Sequence, residues 1–238
     1  ARMALSLDPC ETALPPGAAA LMLAGARLAA LPSGALWWPE ARVLVAGDLH
    51  LGRAERTART GSGFLPPYAD ADTLDRLEAE IHRCAPATVI CLGDSFDDRA
   101  AALRVPGATA GRLAELSAGR DWIWIAGNHD PEAPDLPGNW RTEAAIGSLV
   151  FRHEAAAEGG AGEVSGHYHP KARLRHRGRA IARRCFLWGA GRLVLPAFGT
   201  YTGGLDVGDP VFDALVGPGA TAALIGSRVT LLPRAALA

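Results

Sequence analysis

Residues 122–131 read WIWIAGNHDP, and the change of character within this stretch decides the fold. Trp122, Ile123, Trp124 and Ile125 make a short apolar, β-rich run of the kind that becomes a fully buried strand. Small Ala126 and Gly127 follow, and then Asn128, His129 and Asp130 crowd polar groups onto the strand's end. Burying such a group without a partner costs roughly 2–7 kcal/mol. The sequence therefore demands something that compensates all three.

Two more buried-type strands finish the same way. VLVAGDLH (43–50) ends on Asp48 and His50, and TVICLGD (88–94) ends on Asp94. In open α/β sheets, ligands collect outside the carboxyl ends of the strands. Three strands thus aim Asp48, His50, Asp94, Asn128 and His129 into one crevice. Alternate side chains of an extended segment share a face, so Asp48 and His50 are expected to grip one ion together. His167 and His169, in GHYHP, repeat that spacing. Carboxylate, imidazole and amide-oxygen ligands suit a first-row divalent metal such as Mn, Fe or Zn, not a thiolate-bound structural zinc. Between Asp130 and Gly166 the only histidine is His153. It is either the histidine ligand from that interval or an ordinary strand residue. His82, on a helix, and His176, in a basic run, read as ordinary.

The rest of the chain fits an α/β frame. Residues 20–24, 26–31 and 34–38 look like short strands, with a Pro32-Ser33-Gly34 turn between the last two. Residues 53–69 read as a loop, Arg-rich and then Gly/Pro-rich. DADTLDRLEAEIHRC (70–84) predicts a helix with Leu74, Leu77 and Ile81 on one face and Asp72 or Thr73 near its N-cap. A weaker helix covers about 108–118. From residue 148 the pattern turns to strands: 148–154, 163–169, 172–189 and 192–198. No repeat or low-complexity linker interrupts it, so a single domain over 1–238 is expected.

The formal net charge of −1 gives no hint of a polyanion, but its distribution does. Between Val164 and Val207 the only acid is Asp206, and Lys171, Arg173, Arg175, Arg177 and Arg179 occupy alternate positions. On a strand they would line one face, beginning two residues after His169, as a row able to track a phosphate backbone. The alternative is a solvated hairpin face. Arg53, Arg56 and Arg59, just past the D-x-H strand, add to that surface or form an exposed helical turn with Glu55. Trp122 and Trp124 read as core. The four cysteines are far apart without a C-x-x-C pair. The apolar stretch 17–31 contains Arg27 and is too short to span a bilayer. A cytoplasmic setting and no membrane partner are the expectations.

The order D-x-H, G-D, G-N-H-D, a lone His and G-H-x-H, all between residues 48 and 169, resembles the calcineurin-like metallophosphoesterases. GDLHLG, CLGDSF, GHYHP, RRCF and LVLPAFGTYTGGL extend the likeness over about 20–210, toward their ligase-associated DNA-repair endonucleases. The resemblance implies a four-layer α/β-β/α sandwich, two mixed sheets flanked by helices, with the metals at one edge. It implies two divalent cations, Mn²⁺ foremost with Fe or Zn as alternatives. One would be held by Asp48, His50, Asp94 and His169, the other by Asp94, Asn128, His153 and His167. His129 would then be the acid beside the leaving oxygen, oriented by Asp130. DNA is the implied substrate, bound by Arg53, Lys171, Arg173 and Arg175, with a DNA ligase and a helicase as implied partners. One position departs: Asp97 stands three after Asp94, where these nucleases carry a histidine. Asp97 is expected to hold a water or a metal ligand in place. A phosphoesterase acting on a cyclic nucleotide or nucleotide diphosphate is the competing reading.

Overall fold

A computed structural model describes residues 14–132, 135–176 and 179–237, apart from the side chains of residues 175, 176, 179 and 180. The tryptophan strand β6 (Asp121–Ile125) lies in a seven-stranded sheet. Before it come β1 (Ala19–Leu23), β2 (Ala26–Ala30), β3 (Leu36–Trp38), β4 (Val43–Ala46) and β5 (Thr88–Leu92), and β7 (Asn139–Arg141) closes the edge. β1 to β4 form an antiparallel meander, while β4, β5, β6 and β7 run parallel. Parallel neighbours need crossovers. α1 (Arg53–Arg59) and α2 (Ala69–Cys84) lie in the first, α3 (Arg99–Leu103) and α4 (Gly107–Ser117) in the second.

The second sheet is also mixed. β8 (Glu143–Ile146), β9 (Leu149–Arg152), β10 (Glu163–Ser165), β13 (Arg192–Val194), β12 (Arg179–Gly189), β14 (Thr221–Leu224) and β15 (Thr230–Pro233) follow one another across it. β11 (Lys171–His176) pairs with β12, and α5 (Val211–Val216) covers the outer face.

Period-two alternation assigns each side chain to a layer. Val43, Val45, Ile90, Leu92, Ile123 and Ile125 meet Phe151, Val164, Phe186 and Leu193 between the sheets. Their neighbours Leu44, Val89, Cys91, Trp122 and Trp124 pack against Leu74, Leu77, Ile81, Leu113 and Leu116 of α2 and α4. Leu187, Val194 and Ala222 pack against Phe212 and Leu215 of α5. Each large apolar side chain fully buried this way contributes about 1.5–3 kcal/mol. The result is helix, sheet, sheet, helix: the four-layer sandwich. Trp124 also donates its indole N–H to Pro137 O at 3.0 Å, so its one polar atom is satisfied.

Several boundaries differ from the sequence reading. The strands are shorter at their carboxyl ends, and 53–59 is the helix α1 rather than loop. The helix α2 starts at Ala69 with Tyr68 as N-cap. Thr73 lies inside it, its hydroxyl donating to Ala69 O at 2.9 Å. The run 172–189 is a hairpin, with His176 opposite Arg179. Residues 177–178, and Arg177 with them, lie outside the described residues. Cys91 and Cys185 are buried free thiols and Cys84 is a partly buried one; Cys10 lies outside the described residues.

Candidate metal centre

The polar strand ends converge, but not on extended backbone. β4 stops at Ala46, β5 at Leu92 and β10 at Ser165, so the motif residues sit in the turns beyond. Asp48, His50, Asp94, His167 and His169 all have positive φ, between 44° and 66°. Non-glycine residues rarely adopt this region, at a cost on the order of 1–3 kcal/mol each, and such strain persists only where the surroundings enforce it. Here the turns are laced together: Asp48 N donates to Gly93 O (3.1 Å) and His50 N to Asp94 O (2.9 Å).

Two groups of donors result. Ligand atoms of Asp48, His50 and His169 lie within 4.8 Å of one another, and those of Asp94, His153 and His167 do the same. The expected i, i+2 grip therefore holds for Asp48 and His50, while His167 and His169 fall into different groups. Asn128 joins the second group, its Oδ1 2.9 Å from both His153 Nε2 and His167 Nδ1. The groups adjoin: His153 Nε2 is 3.4 Å from Asp94 Oδ2 and its Nδ1 3.7 Å from Asp48 Oδ1. The motif glycines make room for this. A Cβ on Gly127 would fall 2.1 Å from Asp94 Oδ1, and one on Gly166 would fall 2.4 Å from Asp48 Oδ2.

These donors fit cations. His50 Nε2 is buried without a hydrogen-bond partner among the described residues, and so is His169 Nε2, though it stands 2.9 Å from Asp48 Oδ1. Orphaned buried nitrogens beside buried carboxylates are costly unless a metal joins them. The electrostatics agree in sign. Burial works to lower the pKa of His153, yet Asp94 and Asp48 beside it push it up to about 9. Burial works to raise Asp94, but the His153 imidazole and the His129 amide hold it down at about 2. The space between these groups favours positive charge.

His129 stands beside the second group. Its backbone N–H donates to Asp94 Oδ1 (2.9 Å), and its Nε2 is 3.9 Å from Asp94 Oδ2. Its Nδ1 lies 2.7 Å from the main-chain carbonyl of Asp97, which accepts from it and leaves Nε2 as the working nitrogen. The expected orienting role of Asp130 needs correction. That side chain is completely buried and turned inward, accepting from Phe96 N (3.0 Å) and Gly127 N (3.1 Å). It braces the two ligand turns, and a backbone carbonyl orients His129.

Asp97 is a buried hub. Its Oδ1 is 2.9 Å from His50 Nδ1 and 2.8 Å from Arg53 Nη1, and its Oδ2 is 3.0 Å from Arg56 Nη1. Burial favours its neutral form, but His50 and the two arginines hold its pKa at about 2. A carboxylate on the far nitrogen of a ligand histidine fixes the ring and raises its basicity. Arg53, expected to bind substrate, is thus engaged by Asp97. The helical-turn alternative for Arg53, Arg56 and Arg59 is the one the structure shows, and its i, i+3 spacing puts Arg53 and Arg56 on one face toward Asp97.

The basic row is present in part. Lys171 and Arg173 flank buried Ala172 on β11. Arg173 is 78% exposed and 3.1 Å from Asp206, and Lys171 Nζ donates to Thr202 O at 3.1 Å. The side chain of Arg175 lies outside the described residues. A cavity of about 540 Å³ between α2 and α4 holds none of these groups.

Comparison with known proteins gives the same assignment. The family model described as calcineurin-like phosphoesterase matches residues 41–179. No curated protein matches the chain. Among solved structures it is similar to the Pseudomonas putida nuclease MPE, at 27% identity and a TM-score of 0.72, over 90% of this chain and 100% of that one. YfcE, a phosphoesterase from E. coli, aligns with 82% of this chain and 94% of its own at 12% identity and a TM-score of 0.39. With its paired donor groups at the strand ends of a four-layer sandwich, this chain belongs to the calcineurin-like phosphoesterases and is a metal-dependent phosphoesterase.

Proposed function

We propose that this phosphoesterase is a phosphodiesterase that cuts DNA with a pair of Mn²⁺ ions. Asp48, His50, Asp94 and His169 would hold one cation and Asp94, Asn128, His153 and His167 the other. Bound together, such ions lower the pKa of a water, grip the phosphate and stabilise charge on the attacking and leaving oxygens. The chain's own residues do the rest. His129, fixed through Nδ1 by the Asp97 carbonyl, presents Nε2 at the rim of the second group, where a protonated ring can donate to the departing oxygen. Asp97 fixes His50 from behind.

The observation that carries the DNA reading is the start of β11. Lys171 and Arg173 leave the metal centre in chain order, two and four residues after His169. Similarity to a nuclease supports the same reading. The test is a Mn²⁺ substrate panel of single- and double-stranded DNA, cyclic nucleotides and bis(p-nitrophenyl) phosphate, run with wild type and Lys171→Glu/Arg173→Glu. DNA cleavage is expected to fall roughly tenfold or more at low salt in the double variant, and the aryl diester far less. Cyclic-nucleotide turnover with no DNA cleavage would move the assignment to a small-molecule phosphoesterase.

A further inference from the structure

The segment from Gly199 to Gly204 is clamped at both ends onto the ligand turns of one metal group. Gly199 N donates to Asp48 O at 3.0 Å, and a Cβ there would meet Leu49 O at 2.2 Å. A Cβ on Gly204 would meet His169 O at 2.0 Å. Between these clamps, Thr200, Tyr201 and Thr202 join Asp72, Arg76 and Arg184 around a cavity of about 330 Å³. None of the metal-ligand side chains lines it.

Its charge is unusual. Arg76 Nη2 donates to Phe198 O (2.7 Å) and Thr200 Oγ1 (2.8 Å). Arg184 Nη1 donates to Ala197 O (2.7 Å) and, more weakly, to the same Phe198 O (3.3 Å). Two guanidinium groups thus meet on one carbonyl. The cavity's one carboxylate, Asp72, pairs with Arg76 at 3.3 Å and takes the Thr200 hydroxyl. One positive charge is left over. Burial, with the neighbouring Arg76, pulls Arg184 down to about 10. Like charges held together in a partly dry place are costly, and an anion relieves that cost.

The cavity also has a continuation. Tyr201, 45% exposed and at φ 61°, lines it and the neighbouring cavity of about 350 Å³ where Arg53, Arg56 and Asp97 stand. Its hydroxyl is 3.2 Å from that of Tyr68. On the other side, Lys171 faces Arg184 in register across the β11–β12 pair.

We propose that the Arg76–Arg184–Thr200 cavity is a second phosphate subsite, taking the phosphate next along a nucleic-acid strand whose scissile phosphate lies at the metal centre. It rests on the DNA reading above. Arg184 supplies the main contact through the N–H groups not used on the Ala197 and Phe198 carbonyls, and Asp72 limits its strength by repulsion. A bracing role alone would make Asp72 favourable to the site; a phosphate subsite makes it unfavourable.

That opposite sign is the test. Anisotropy of a fluorescein-labelled phosphorothioate oligothymidylate is followed through a NaCl titration with Mn²⁺-loaded wild type, Arg184→Gln and Asp72→Asn. Arg184→Gln is expected to weaken binding about tenfold, the loss of one charge-assisted contact, and to reduce the log–log salt slope by about 0.7. Asp72→Asn is expected to tighten binding about threefold, as removal of a nearby like charge does. Wild-type affinity in both variants would overturn the subsite, and so would weakening in both with a matching drop in melting temperature. If Arg184→Gln does not fold, the sign of the Asp72→Asn change decides alone. Wild type that hydrolyses bis(p-nitrophenyl) phosphate yet binds no oligonucleotide removes the polymer substrate and the subsite together. Oligonucleotide binding that neither variant alters removes only the subsite.

Discussion

The two donor groups of the metal centre are alike in composition and unlike in support. Asp48, His50 and His169 are backed by charge: behind His50 stands Asp97, and behind Asp97 stand Arg53 and Arg56. Asp94, His153 and His167 have no such chain behind them: His153 Nδ1 has the Leu92 carbonyl at 3.3 Å, with Asp48 of the first group farther off at 3.7 Å. The first group is therefore held by a chain of ion pairs that reaches the surface, and the second by hydrogen bonds to main-chain and amide groups. A carboxylate behind a ligand histidine makes it a stronger donor, while an amide ligand adds no charge. The first cation should be the tighter of the two.

The largest effect should come from Asp94, the ligand proposed above to serve both cations. Asp94→Ala is expected to abolish paired metal binding and to lower kcat/KM on the order of a thousandfold or more, read by metal analysis alongside turnover. One tightly held metal with retained activity would show that Asp94 serves a single group. Next is His129→Ala, which removes no proposed ligand and keeps the backbone N–H that donates to Asp94. It should keep the metal content while kcat falls about 10²–10⁴-fold, most for esters with poor leaving groups. Equal rates on such esters would remove its acid role. The smallest effect sharpens the asymmetry itself. Asp97→Asn should weaken one metal about 10–100-fold and leave the other unaltered in a two-site titration. Equal weakening of both sites would mean that the Asp97 network stabilises the whole rim rather than His50.

The first half of the fold was legible because its central strands are short continuous apolar runs and α2 carries a clear 3.6-residue face. Their carboxyl ends were read too long, since Asp48, His50 and Asp94 look like strand residues until left-handed turns reveal themselves in three dimensions. The donor set was legible from residue type and order. Its partition did not follow from local spacing, which pairs His167 with His169; the family resemblance implied the split, and the turn geometry separates the two in the same way. Asp97 drew attention as a departure from pattern, but its contacts with His50, Arg53 and Arg56 did not. Arg53 is 44 residues away, and nothing local announces that contact. Nothing local marks Arg76 and Arg184 either, whose meeting on the Phe198 carbonyl joins residues far apart in the chain.

By itself, the sequence determined which chemical groups the site possesses, because carboxylate, imidazole and amide donors after buried strands are a matter of residue identity and local period. Only the tertiary structure decided that a carbonyl rather than Asp130 orients His129, that Asp97 ties His50 to Arg53 and Arg56, and that two arginines converge beside the centre. Those outcomes depend on how two sheets stack and how strained turns close upon each other. Such contacts join residues far apart in the chain, and no local pattern encodes them.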